Sequence, residues 1–137
     1  AGYACRSLDD TVTVLSKNAD DAHALNCLGE FFRTTRTHVD LWKDHAGNDM
    51  LEAAINRQQP LGQYDRQSYY QQIITSPKAE PEDKSYALYR AILCYAPSGS
   101  NECGGEDVEK LQRKGWFTQL KTQYPGSPWA QKLKYYW

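Results

Sequence analysis

Four cysteines are the residues of this sequence best suited to chemistry. Cys5, Cys27, Cys94 and Cys103 form an even set in a short chain, which is typical of a disulfide framework. Their spacing fits neither a CxxC pair nor a zinc finger, which argues against a local metal site. Cys94 and Cys103 flank the loop YAPSGSNE (residues 95–102), whose proline and glycine favour a turn that brings two sulfurs within bonding distance. We therefore predict the disulfides Cys94–Cys103 and Cys5–Cys27.

The predicted disulfides bear on the compartment in which the chain works. Disulfides persist in oxidising compartments, so two of them would place the chain outside the cytoplasm. Four unpaired thiols in a cytosolic helical scaffold remain the alternative. No apolar run approaches the ~20 residues that a membrane span needs. The opening residues AGYACRSLDD resemble no signal peptide, but a chain whose signal had been removed would begin in the same way.

The histidines are the other candidates for chemistry. His23 and Cys27 are four residues apart and could share a metal, but two ligands do not make a site. His38 and His45 each lie within two residues of an aspartate, so an acid–base pair between positions 38 and 45 keeps a small enzyme as an alternative. The sequence contains no GxSxG, HExxH, P-loop or dinucleotide fingerprint. We therefore predict no catalytic residue, no metal and no cofactor.

The spacing of apolar residues predicts helices along the sequence, without the alternation typical of strands. Ser7 precedes Asp10 by three residues, as in a capping box, and Ser127 followed by Pro128 marks the start of a last helix. We predict a single all-α domain over residues 1–137, in which about six or seven helices form antiparallel hairpins, as a right-handed solenoid or a compact array. The predicted helical segments are 6–17, 20–36, 38–59 (one helix or two), 65–76, 82–96, 106–125 and 128–137.

Two of these segments indicate how the helices pack. Segment 82–96 is apolar on two sides, which is typical of a helix buried between neighbours, so we expect it at the centre. The last helix would place an aromatic stripe on the helix that contains Trp116 and Phe117. The stripe consists of Trp129, Leu133, Tyr136 and Trp137, and the apolar residues of segment 106–125 are Val108, Leu111, Phe117, Leu120 and Tyr124.

The stretch DDAHALNCLGEFF resembles the first helix of a tetratricopeptide (TPR) repeat. Leu25, the pair Leu28-Gly29 and Phe32 have the spacing of that family, in which the glycine lets the paired helix approach closely. The sequence departs from the family after this helix, because Leu41 stands where a small residue is expected and residues 38–76 contain no recognisable repeat.

The stretch WFTQLKTQYPGSPWA resembles the end of a second TPR helix. Phe117 precedes Pro125 by eight residues, as the aromatic residue and the terminal proline do in the family. The turn YPGSPWA is similar to turns of bacterial envelope TPR proteins, such as the outer-membrane assembly lipoproteins and the Tol-associated coordinators. The resemblance implies a TPR-like helical repeat, a binding role and a periplasmic location.

Charge is distributed unevenly along the chain. Residues 1–109 contain all 17 acidic residues and carry a net charge of −7, whereas residues 110–137 contain six basic residues and no acid. Such asymmetry can indicate contact with an anionic partner. The alternative is that the two parts of one domain attract each other, or that the lysines only solvate helix faces. The expected partner-binding residues are Lys114, Trp116, Lys121, Lys132, Lys134 and Tyr135.

These observations together predict a non-catalytic adaptor or scaffold in an extracytoplasmic, periplasmic compartment. We expect a protein or peptide partner, with acidic groups favoured by the basic segment, and no nucleic acid, because the chain as a whole is not basic. Peripheral association with the cell envelope is compatible with this role. The small enzyme and the cytosolic scaffold remain the alternatives.

Overall fold

The computed structural model describes residues 2–35 and 65–137. Within these ranges the chain forms six α-helices and no strand, which confirms the predicted all-α class. No helix of the described ranges is long and apolar enough to cross a membrane. The predicted segment 38–59, with Leu41, His38 and His45, lies outside them. The helices are α1 (Leu8–Lys17), α2 (Ala22–Thr35), α3 (Arg66–Thr75), α4 (Pro81–Leu93), α5 (Lys110–Gln123) and α6 (Pro128–Lys132).

Polar side chains cap four of these helices, and Asp21 caps α2 by accepting from the Ala24 amide at 2.9 Å. The Ser7 Oγ accepts a hydrogen bond from the Asp10 amide at 3.2 Å, as the sequence predicts for α1. Asp65 caps α3 through the Ser68 amide at 2.8 Å, and Ser127 caps α6. Each cap satisfies a backbone N–H that lacks a partner within its own helix.

Helix α4 lies at the centre, as its two apolar sides predict. It packs against α2, α3, α5 and α6. Its residues Ala87, Leu88, Ala91 and Ile92 have no exposed surface, and Tyr86 is also buried. Its Tyr86 also contacts Tyr3, which precedes α1, and Trp129 of α6, so α4 helps to position the segments at both ends of the domain.

Gly29 sets the distance between α2 and α3. A Cβ atom at this position would lie 2.9 Å from the Tyr70 Oη and 3.1 Å from its ring. Only glycine therefore allows the buried Tyr70 of α3 to lie directly against the α2 backbone. The helix that the resemblance to TPR repeats pairs with α2, the one that contains Leu41, lies outside the described residues.

Helix α6 is shorter than predicted. It ends at Lys132, Leu133 has an extended backbone, and residues 133–137 are not helical. The Ala130 carbonyl, which a longer helix would pair with the Lys134 amide, accepts from Lys121 instead, and Arg113 donates to the Tyr136 oxygen. The stripe is therefore split, because Trp129 and Leu133 are buried and Tyr136 and Trp137 are half-buried.

The surface that receives the stripe also differs from the prediction. Trp129 lies edge-on to Tyr86 of α4, with ring centroids 5.0 Å apart. Of the predicted receiving residues, Phe117 contacts Tyr136, with centroids 5.5 Å apart. The burial of Trp129 supports the prediction that the stripe packs on the domain. Trp129 contacts α4, however, whereas the prediction placed it on the helix that contains Trp116 and Phe117.

Leu111, one of the apolar residues of segment 106–125, is on the solvent side of α5. It exposes 76% of its surface, whereas Leu120 is fully buried. At about 100° per residue, nine positions place these two leucines on opposite sides of the helix. Arg113, Trp116 and Leu120 form the buried side of α5 instead.

Candidate functional site

The exposed start of α5 and the segment after α6 form a basic surface with apolar groups. The Lys110 Nζ donates to the Tyr135 Oη at 3.2 Å and lies 5.5 Å from the centre of that ring. Leu111 follows Lys110 in sequence, and Lys114 lies one turn further along α5. We name the four residues Lys110, Leu111, Lys114 and Tyr135 the basic–apolar patch.

Two further predicted residues, Lys132 and Lys134, are exposed beside Tyr135. Trp116, in contrast, is only 7% exposed and belongs to the hydrophobic core, so its assignment to a partner-binding surface is wrong. A tryptophan one turn from Leu120 is on the buried side of α5 because both follow the same helical stripe.

Lys121, which the sequence analysis expects to bind a partner, makes its contacts within the protein. Its Nζ donates to the Ala130 carbonyl and lies 5.4 Å from the centre of the Phe117 ring. The ammonium group therefore binds α6 to α5, which the sequence did not indicate. Its role in the structure is to hold α6 against the last turns of α5.

Arg113 fixes the segment that carries Tyr135. The buried guanidinium lies 3.8 Å from the centre of the Tyr95 ring. It donates to the Tyr136 and Trp137 oxygens at 3.4 Å and 3.2 Å, and to the Val108 oxygen. The planar fork of arginine suits several carbonyls at once. Because Arg113 holds the carbonyls of the next two residues and Lys110 binds the Tyr135 hydroxyl, the Tyr135 ring lies beside α5 at a defined position.

An acidic groove adjoins the start of α5. It has a volume of about 890 Å³ and lies between α3 and the residues that precede α5. The Gln67 Nε2 donates to the Glu106 carbonyl, while the buried Gln67 Oε1 has no hydrogen-bond partner. Carboxylates at helix starts also stabilise the helices themselves. The groove can accept donor or cationic groups, and its acidic residues are Asp65, Glu106, Asp107 and Glu109.

A polar cluster joins the segment before α1 to α2 and α4. The Tyr3 Oη donates to the Asp83 Oδ1 at 2.5 Å, and the Tyr3 Oη itself accepts from the Asn26 Nδ2 at 3.2 Å. The His23 Nδ1 lies 2.9 Å from the Tyr3 Oη and 3.4 Å from the Asp83 Oδ1. Burial, reinforced by the hydrogen bond to Asp83, raises the pKa of Tyr3 well above its usual range. The phenol is therefore neutral and can donate.

This network defines the tautomer of His23. Because the single proton of the Tyr3 hydroxyl goes to Asp83, the Nδ1 of His23 must donate to the Tyr3 oxygen. The neutral ring then carries its lone pair on Nε2, which lies 3.6 Å from the Cys27 Sγ. The arrangement Asp83–His23–Cys27 thus presents a proton acceptor to a sulfur atom.

A cavity of about 530 Å³ lies beside His23, between the link from α1 to α2 and the link from α3 to α4. His23 is partly open to solvent, since 48% of its side chain is exposed. The charged residues that line the cavity with His23 are Asp20, Asp21, Lys78, Glu80 and Asp83.

Both predicted disulfides are present. The Cα atoms of Cys5 and Cys27 are 5.6 Å apart, and those of Cys94 and Cys103 are 5.3 Å apart. Cys27 is therefore unavailable for the metal site considered with His23. The ring of His23, which the sequence analysis set aside, lies against a carboxylate and a sulfur. The acid–base pair proposed for His38 and His45 lies outside the described residues.

Some signals of these sites were readable in the sequence and others were not. The four-residue spacing of His23 and Cys27 placed them on one helix face. Nothing local indicated that Tyr3 and Asp83, 80 positions apart, would share a hydrogen bond with them.

Comparison with protein-family models, with curated proteins and with solved structures found no match.

Proposed function

We propose that this chain is a non-catalytic, TPR-like helical adaptor of a periplasmic or other extracytoplasmic compartment, which binds a protein or peptide through the basic–apolar patch. One observation carries the proposal. Leu111 and Tyr135 are the large apolar side chains that the described residues leave exposed, and both lie in the stretch that contains no acid. Exposed apolar groups rimmed by charge are typical of interaction sites.

The chemistry of the patch favours a particular kind of partner. Leu111 offers an apolar anchor, and Tyr135 offers a ring whose rotamer entropy is low and whose position is fixed from behind by Arg113. Lys110 and Lys114 favour carboxylates at the edge of the contact. The expected partner segment therefore presents an apolar side chain flanked by aspartate or glutamate.

Other features support the compartment and the family resemblance. Two disulfides fit an oxidising compartment. The contact of Gly29 with Tyr70 fits the close helix packing of a TPR-like repeat. Peripheral association with the cell envelope follows from the same proposal, through the partner.

The proposal is tested by capture of a partner on the immobilised chain. Leu111→Glu with Lys114→Glu should weaken retention of the partner from an envelope extract by at least about tenfold, as expected when an anchor and its charge are lost. Lys17→Glu, an exposed charge reversal at the end of α1, is the matched control and should retain it. Binding should also weaken as salt is added.

A partner that the patch variant retains as well as the unmodified chain would overturn the proposal. Equal loss with Lys17→Glu would do so too, because it would indicate nonspecific attraction to positive charge. Lys121→Glu is the less useful variant, since Lys121 holds α6 in place.

A further inference from the structure

The two disulfides differ in their access to solvent. Cys5 is exposed and Cys27 is 5% exposed, whereas Cys94 and Cys103 are 2% and 7% exposed. Thiol–disulfide exchange requires an external thiolate to reach one sulfur of the bond. Among the four cysteines, Cys5 is therefore the residue open to such an attack.

The buried partner of Cys5 also has a suitable neighbour. The His23 Nε2 lies 3.6 Å from the Cys27 Sγ, and the opposite nitrogen faces Tyr3 and Asp83. A thiolate next to a protonated histidine is stabilised, and a stabilised thiolate is a better leaving group. Within residues 2–35 and 65–137 no histidine contacts Cys94 or Cys103, whose backbone groups bond to Arg90, Glu102 and Asn101.

We propose that the Cys5–Cys27 disulfide is a thiol–disulfide exchange site for a dithiol reductant, in which Cys5 is the sulfur attacked and Cys27 is the sulfur released beside His23. This inference is independent of the proposed partner binding, because Cys5, Cys27 and His23 are not residues of the basic–apolar patch and their chemistry is different.

The reaction proceeds in two balanced steps. The first thiol of the reductant ionises and attacks the Cys5 Sγ, the Sγ–Sγ bond breaks, and Cys27 leaves with the electron pair. The His23 Nε2 takes up the proton that the attacking thiol lost, and Asp83 faces the resulting imidazolium. The second thiol then attacks the mixed disulfide, and Cys5 leaves and is protonated. The reductant becomes a disulfide and gives up two electrons and two protons: the cysteine pair takes both electrons, Cys5 takes one proton, and His23 holds the other beside the Cys27 thiolate.

The surroundings of His23 suit this proton uptake. Tyr3 of the preceding segment and Asp83 of α4 face its Nδ1, and Cys27 of its own helix faces its Nε2. Of the other charged groups around the adjoining cavity, Lys78 is the cation, and the anions are Asp20, Asp21 and Glu80. An imidazolium in this position therefore meets mainly negative charge.

The first experiment compares the two disulfides within one folded chain. The unmodified protein is treated with dithiothreitol at neutral pH, quenched with iodoacetamide at intervals, and mapped by peptide mass. We expect Cys5 and Cys27 to be labelled at least about tenfold faster than Cys94 and Cys103, because exchange follows access and leaving-group stability. Equal rates, or faster labelling of Cys94 and Cys103, would overturn the proposal.

The second experiment isolates the contribution of His23. In Cys5→Ser, Cys27 is the remaining thiol, and the ultraviolet absorbance of its thiolate reports its ionisation. We expect its pKa to lie below the ordinary thiol value of about 8.5, and to return to that value or higher when His23→Gln is added. The same midpoint in both variants would refute the role of His23. If Cys5→Ser does not fold, His23→Gln in the disulfide-bonded chain must slow the reduction of Cys5–Cys27 several-fold, and an unchanged rate counts against the proposal.

Discussion

The segments on the two sides of the helical core are both attached to α4, but by different means. The N-terminal segment (residues 2–7) is held by one solvent-exposed disulfide and by the polar cluster around Tyr3. The C-terminal segment (residues 124–137) is held by the burial of Trp129 and Leu133 and by two cations that bind its carbonyls. The two segments meet at Tyr86, which stacks on Tyr3 at 4.1 Å and contacts Trp129. Reduction of the disulfide can release the N-terminal segment, whereas the C-terminal segment is released only when its packing is lost.

Stability alone does not distinguish the two disulfides. They close loops with sequence separations of 22 and 9 residues. In the chain-entropy description these loops correspond to about 3.4 and about 2.6 kcal/mol, a difference smaller than the variation among real disulfides. What separates them is the exposure of Cys5 and the position of His23, so their reactivity should differ far more than their contribution to folding.

The largest effect is expected from the apolar attachment. Trp129→Ala removes a 5%-exposed indole that contacts Tyr86 and Tyr3, and should lower the free energy of unfolding by ~3–5 kcal/mol. Chemical denaturation measures this loss, and Tyr135→Ala is the matched exposed aromatic, expected to change it by about 0.5 kcal/mol or less. Deletion of residues 128–137 should likewise lower the melting temperature. An unshifted midpoint after that deletion would contradict the docking of the C-terminal segment.

Two glycine substitutions test the packing of α2, the helix that carries Cys27 and His23. Gly29→Ala places a methyl group 2.9 Å from the Tyr70 Oη and should destabilise the domain by ~1–3 kcal/mol. Gly115→Ala is the control on α5, where the nearest atom would be the Gln112 Nε2 at 3.8 Å. Because alanine favours helix over glycine, the control should stabilise the domain by up to ~1 kcal/mol. Thermal denaturation distinguishes the two, and effects of the same sign would refute the close α2–α3 contact.

The smallest effect is expected from alkaline pH, which acts on the polar attachment. Burial, followed by the hydrogen bond to Asp83, raises the pKa of Tyr3, and burial followed by the hydrogen bond to Glu30 raises that of Tyr86. In the unfolded chain both phenols ionise near pH 10. The stability that depends on the neutral phenols is therefore complete below about pH 10 and is lost as the pH rises further.

Melting temperatures between about pH 8 and about pH 11, on either side of the usual tyrosine pKa, measure this loss. Tyr3→Phe should make the decline shallower, because one of the two phenols no longer titrates. The remaining decline belongs to Tyr86 and to other ionising groups. An identical decline in the variant would show that the Tyr3 hydroxyl does not contribute to the pH dependence.

Local patterns predicted the fold better than the sites. Caps at Ser7 and Ser127, the apolar sides of α4 and the cysteine loop all depend on residues close in sequence, so they could be interpreted correctly. A list of apolar residues does not show which of them are buried: the helical angle of Leu111 places it opposite the buried Leu120.

The polar cluster and the carbonyl contacts of Arg113 could not be found in the same way. Tyr3 and Asp83 are 80 positions apart, and Arg113 binds oxygens 23 and 24 positions away. An arginine between polar neighbours is usually solvated, so its sequence context gives no sign of burial. Such contacts depend on how the helices pack, which one sequence does not specify locally.

The central claim is that a reaction can release the N-terminal segment while packing keeps the C-terminal segment in place. Trypsin tests it directly, because Arg6 lies in one segment and Lys132 and Lys134 lie in the other, all three exposed. Cleavage requires local opening of the chain. After selective reduction of Cys5–Cys27, we expect cleavage at Arg6 to accelerate and cleavage at Lys132 and Lys134 to stay at its original rate. Equal acceleration at all three sites, or no change at Arg6, would contradict the account.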